Sequence, residues 1–145
     1  MFKKIAVAFD ESPEAARAFR SGLDLAKLAG AELTLITVIE NLPAYISYVT
    51  AVAPDVPELL KEKRRAFYAD LHRKAKKTAE QFDIRTHSKT IEDNEIDGLL
   101  RLIDDACPDL LVIGLRQEPV GFGGFTGGTA HRVALHAKCD ILAIR

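Results

Sequence analysis

Cysteine is scarce in this chain: its 145 residues hold two, Cys107 and Cys139, far apart and outside any CxxC spacing. That excludes a dithiol redox pair and a zinc knuckle, and both residues read as small buried hydrophobes. No apolar run approaches the roughly 20 residues that a membrane-spanning helix needs. The opening MFKKIAVAFDESPE turns acidic and reaches proline after a short apolar run, unlike a secretory leader, so a cytoplasmic protein with no membrane partner is expected. Charge of one sign is lacking too. With 28% charged residues and a formal net charge of -1, no global field draws in nucleic acid, and a small or neutral partner is expected instead. His72, His87, His131 and His136 lie in separate segments or five apart, whereas a metal pair on a helix needs a spacing of three or four. All four read as solvated helix or loop positions, and no metal site is expected.

What is present is an alternation of strand-length apolar runs with longer stretches of helical period, the sequence form of consecutive βαβ units. The size suits one domain spanning residues 1–145, able to bury enough surface to need no metal or disulfide. Five strands and four helices are predicted. Lys4 to Phe9 is apolar without alternation, as for a strand covered on both faces. Ser12 then offers a helix cap, with Pro13 at the first helical position. Ala16, Phe19, Leu23 and Ala26 form that helix's inner stripe, and Gly30 ends it. Glu32 to Val38 is the second strand.

Ile39 to Val56, with Pro43, Pro54 and two tyrosines, has no clear period and reads as an irregular connection over the cleft. From Pro57 to Phe82 the spacing of Leu60, Phe67, Leu71, Ala75 and Phe82 predicts a long amphipathic helix. Its basic runs, around Lys61 and Arg73, read as a solvated outer face. Ile84 to Thr90 is a weakly marked third strand, and Asn94 caps a third helix stopped by Pro108. Leu110 to Leu115 is the fourth strand, a fourth helix begins near Gly127, and Ile141 to Ile144 is the fifth strand.

In an open parallel sheet, ligands bind beyond the carboxyl ends of the strands where the winding reverses, so the residues just after each strand carry the chemistry. Asp10-Glu11-Ser12-Pro13 follows the first strand. A glycine-rich stretch from Gly114 to Thr129 follows the fourth and holds six of the chain's nine glycines. Glycine lets backbone N–H groups wrap an anion, and the next helix's N-terminus adds partial positive charge, so the stretch suits phosphates.

In that setting the chain resembles the universal stress protein family, in which spaced glycines and a closing Gly-Ser or Gly-Thr pair hold the phosphates and ribose of ATP. The likeness runs through KIAVAFDESPEAARAF, AKLAGAELTLITVIE, PDLLVIG and GGTAHRVALHAKCDILAIR. It implies a doubly wound five-stranded parallel sheet of order 3-2-1-4-5, of the adenine nucleotide alpha hydrolase-like type, with its cleft between strands one and four. Asp10, Val38, Gly114, Arg116, Gly127, Gly128 and Thr129 would line that cleft, binding ATP with magnesium. Gly114 and Gly127 match signature glycines, Asp10 the aspartate ending the first strand, and Val38 the residue whose backbone faces adenine.

Gln117 stands where the second signature glycine belongs, Gly128 where the serine belongs, and Glu11 where a glycine usually follows the aspartate. A side chain at 117 narrows the phosphate space and Glu118 adds a repelling charge, which Arg116 and Thr129 partly offset. Two function classes therefore stand: a stress-response switch read through nucleotide occupancy, or a dimeric interaction module that binds none. The resemblance implies a homodimer through Ile141, Leu142, Ala143 and Ile144. Neither a placed general base nor an arginine finger is visible, so at most slow ATP hydrolysis is expected. Asp10-Glu11 is also similar to the magnesium-binding pair of phosphoacceptor receiver domains, but the third strand as predicted has no aspartate at its end.

Overall fold

The computed structural model describes residues 1–116 and 128–145. Its elements in chain order are β1 (Lys4–Ala8), α1 (Pro13–Ala29), β2 (Glu32–Glu40), α2 (Ile46–Val52), α3 (Val56–Glu80), β3 (Thr86–Asp93), α4 (Glu95–Ala106), β4 (Leu110–Gly114), α5 (Thr129–His136) and β5 (Asp140–Ile144). All strand pairs are parallel and the sheet order is β3-β2-β1-β4-β5, as the family resemblance implied. The winding reverses between β1 and β4, whose register pairs Ile5 with Leu110 and Val7 with Val112.

The two faces are filled by different residues of the same strands, because side chains alternate across a sheet. Ile5, Val7, Leu33 and Leu35 pack with Ala15, Ala18, Leu23 and Ala26 of α1 and with Ala75 and Ala79 of α3. Ala6, Ile36, Leu111 and Ile113 pack with Leu99, Leu102 and Ile103 of α4 and Val133 of α5. Both faces are dry, which explains why the central strands read as continuous apolar runs rather than alternating ones. Ser12 caps α1 by accepting from the Ala15 N–H at 3.1 Å, and Gly30 closes it at φ 64°, in the left-handed region that glycine occupies without cost. Asn94 caps α4 in the same way through the Asp97 N–H. Asp109 joins β1 to β4, accepting from the Lys3 and Lys4 N–H groups at 2.7 and 2.8 Å. Those two amide bonds hold its carboxyl below the usual range.

Several expectations are corrected. Among the described residues there are five helices, the extra one being α2, inside the segment predicted to be irregular. None of α2's residues is buried and no side chain caps it, so it carries neither the apolar stripe nor the cap that announces a helix. α2 packs on α3, and no residue of 41–56 lines the cleft described below. In α1 the inner stripe uses Ala15 and Ala18, while Ala16 is exposed. α3 ends at Glu80, before Phe82; Phe67 in it and Phe82 past it are half exposed, and its buried residues are His72, Ala75 and Ala79. His72 is therefore buried, not solvated. Cys107 is exposed and Cys139 only partly buried. β3 runs on to Asp93, which does put an aspartate at its end, but that carboxylate faces Arg101 of α4 at 2.8 Å and lies two strands from β1.

Candidate functional site

A cleft of about 410 Å³ opens at the carboxyl ends of β1, β2 and β4, at the point where the winding reverses. Its floor is the strand ends themselves, Ala8, Ile36, Val38 and Ile113. Asp10 and Arg116 stand at its rim after β1 and β4, and Gly128 and Thr129 open α5 on the far side. The structure thus brings Asp10, Val38, Gly114, Arg116, Gly128 and Thr129 to one cavity. Gly127 lies outside the described residues, as does Gln117.

Each position has a local cause. The Asp10 carboxylate accepts from the Ser12 N–H at 2.7 Å, an Asx turn that bends the chain from β1 into α1 and fixes the carboxylate at the strand exit. Beside it, Glu11 accepts from the Tyr68 hydroxyl at 2.9 Å, which ties this turn to α3. Burial first, and the Glu11 carboxylate second, push the Tyr68 hydroxyl up to about 12. Gly114 ends β4 where α1 passes closest. A Cβ there would stand 2.5 Å from the carbonyl carbon and oxygen of Glu14, so the need for glycine at this point is close approach of helix and strand. Gly98 plays the same part on the other face, its missing Cβ making room for Val38 at 2.8 Å.

Sequence reasoning missed Glu14, Glu95 and His131, which also line the cleft. The first two were findable, since each sits in the first turn of a helix that leaves a strand end on the cleft side. Glu14 is held below the usual carboxylate range, chiefly by a hydrogen bond to backbone, with Ser12, Arg17 and Arg116 acting in the same direction. Three carboxylates therefore face one guanidinium.

The two helix N-termini at the cleft differ. α1 brings its own capping oxygen and the acidic Glu14, whereas α5 has no side-chain cap and no acidic residue in its first turn. The partial positive charge of α5 is left for whatever the cleft holds. Among the described residues no group of three or more His, Cys, Asp or Glu side chains is placed to hold a metal ion.

Fold and cleft together define a class: parallel α/β proteins with a small-ligand cavity at a topological switch point. The universal stress protein family model matches residues 1–145, and the chain belongs to that family. A universal stress protein of Methanocaldococcus jannaschii is 25% identical, the alignment covering 100% of this chain and 83% of that one. A relative from Staphylococcus saprophyticus is 27% identical over 99% of this chain and 84% of its own length. Among solved structures, UspA of Lactobacillus plantarum matches with a TM-score of 0.81 at 21% identity, covering 99% of this chain and 97% of that one. An Arabidopsis thaliana family protein solved with AMP bound matches at 0.69 and 16% identity, covering 98% and 90%. A universal stress protein solved in complex with cAMP matches at 0.65 and 23%, covering 99% and 97%. At these identities the structural matches establish the fold.

Proposed function

We propose that the chain binds an adenine nucleotide in the β1–β4 cleft and that occupancy of the cleft is what a partner reads in a stress response. The observation that carries this reading is the convergence of three things on one cavity: the Asp10 carboxylate, the apolar strand ends around Val38, and the uncapped N-terminus of α5. Adenine suits the apolar floor, a ribose hydroxyl suits Asp10, and a phosphate suits the N-terminus of α5 at Gly128 and Thr129 with Arg116 beside it. The AMP and cAMP complexes of family neighbours support the same ligand class. Magnesium would arrive on the phosphates of ATP.

Calorimetric titration with Mg–ATP, AMP and cAMP tests it. Saturable heat is expected for at least one of them, with affinity falling about tenfold or more in Asp10→Ala, the loss of a hydrogen bond to a charged group. No heat with any of the three, and no nucleotide in the purified protein, would reject the reading.

A second reading is favoured by one specific feature, the excess of carboxylates Asp10, Glu14 and Glu95 over Arg116 around the cleft. Here the protein binds no nucleotide and works as a dimeric interaction module. Both readings share a homodimer through β5, an edge strand whose Ile141, Leu142 and Ile144 are only partly covered. Light scattering should give twice the 15.9 kDa chain mass, and a polar change such as Ile144→Lys should halve it. A monomer mass for the unaltered chain would contradict the pairing.

A further inference from the structure

A second concavity, of about 730 Å³, lies on the α1/α3 face of the sheet, between α3 and the edge strand β3. Its charge is opposite to that of the cleft. Arg65, Arg73, Lys76 and Lys77 line it against one carboxylate, Glu80. Arg65 is engaged by Glu92 and Arg73 by Asp70. Among the described residues neither Lys76 nor Lys77 takes part in an ion pair. On the β3 wall Glu92 is taken up by Arg65, and Ser88 and Thr90 offer exposed hydroxyls.

His72 completes the wall at 3% exposure. The Thr37 hydroxyl donates its one proton to the Phe9 carbonyl at 2.5 Å, and its oxygen lies 2.5 Å from Nε2 of His72. Nε2 must then be the donor to Thr37, which leaves Nδ1 of the neutral ring as a bare acceptor. That atom is buried with no hydrogen-bond partner among the described residues, a costly state in a protein interior. The groove therefore combines several cationic donors with one orphan acceptor beneath its surface.

We propose that this groove is a binding site for a phosphate group that carries a proton. Carboxylate and sulfate only accept at neutral pH. A protonated phosphate does both, its free oxygens accepting from Lys76, Lys77 and the wall hydroxyls while its P–OH donates to Nδ1 of His72, which becomes reachable only when the groove wall over it gives way on binding. The complex holds one proton between Nδ1 and the ligand oxygen, so for a phosphomonoester capture of the dianion, which has no P–OH, takes one proton from solvent and capture of the monoanion takes none. The charged groups around His72 are those of α3 already named and Glu92 of β3, paired with Arg65; the other neighbours are Phe9, Thr37 and Ile39 at β1 and β2 and the hydroxyls of Ser88 and Thr90. From His72 the hydrogen bonds run through Thr37 to the carbonyl of Phe9, next to Asp10 in the nucleotide cleft, so the two sites share a continuous chain.

The test is a titration of the isotope-labelled full chain with methyl phosphate, a minimal phosphomonoester, following Nδ1 of His72 by nitrogen NMR, with sulfate at matched ionic strength in parallel. Saturable phosphate binding is expected, with a large change in the Nδ1 resonance. Affinity should fall about tenfold per pH unit above the second pKa of the ligand, the signature of one proton taken up. Sulfate should bind at least about tenfold more weakly at neutral pH, the size of one hydrogen bond to a charged group. Lys76→Met with Lys77→Met, on a partly and a fully exposed position, should weaken phosphate binding about tenfold or more while leaving the melting curve intact. His72→Phe should erase the preference for phosphate over sulfate. Absence of saturable binding, equal binding of both anions, or phosphate binding with Nδ1 unmoved would each overturn the proposal. The last outcome would place the phosphate in the cleft instead.

Discussion

His72 is the one histidine held in the core, and its burial has a measurable price in acid. Desolvation first and Lys76 second lower it from 6.5 to about 4, so the native ring refuses a proton that the unfolded chain accepts. Stability from the neutral ring is whole above pH 6.5, falls as pH drops from 6.5 toward 4, and falls no further below that for this group. Over the window from 6.5 to 5, above the carboxylate range, the loss is about 2 kcal/mol. Urea midpoints of the native chain should decline across that window, and those of His72→Phe should decline by clearly less. Parallel slopes would remove the ring from the account. The sequence could not show this. His72 sits at a helical spacing between Leu71 and Ala75, and only the Thr37 hydroxyl, 35 positions away, gives the ring a place to point.

Among the elements, the seam between α1 and β4 decides whether the cleft exists. Gly114 was legible as a glycine at a strand exit, and the family resemblance pointed to phosphate. The structure adds a packing cause in the Glu14 backbone 2.5 Å from where a Cβ would be. Gly114→Ala should therefore cost roughly 1–3 kcal/mol by overpacking, and should lower nucleotide affinity together with stability. A full melting temperature with only affinity lost would make Gly114 a ligand contact alone. The strands and α1 were readable because their signals are local: apolar runs, the Ser12-Pro13 start, the Gly30 stop. α2 was not, because it has no buried face, and the inward side of α3 was read only in part: Leu71 and Ala75 pack inward as expected, but His72 and Ala79 join them while Phe67 stays half exposed. An amphipathic reading ranks side chains by size, and packing over β2 selected small ones. The end of β3 was missed for a related reason: at the sheet edge its residues alternate polar and half-buried, so no apolar run marks Asp93.

Across the whole molecule, charge is sorted by cavity although the net charge is only -1. Three carboxylates and one guanidinium face the cleft at the strand ends, and four cations and one carboxylate face the groove beside α3. Composition could not reveal this, because the two sets cancel. With three carboxylates against one guanidinium at the cleft, a ligand of low negative charge, AMP or cAMP, should bind there at least as well as ATP free of magnesium. The most direct measurement is amide NMR mapping of the full chain on addition of AMP. The largest shifts are expected at Asp10, Val38, Gly114, Gly128 and Thr129, with β3 and α3 nearly still. Shifts centred elsewhere, or none at saturating AMP, would contradict the assignment of the cleft.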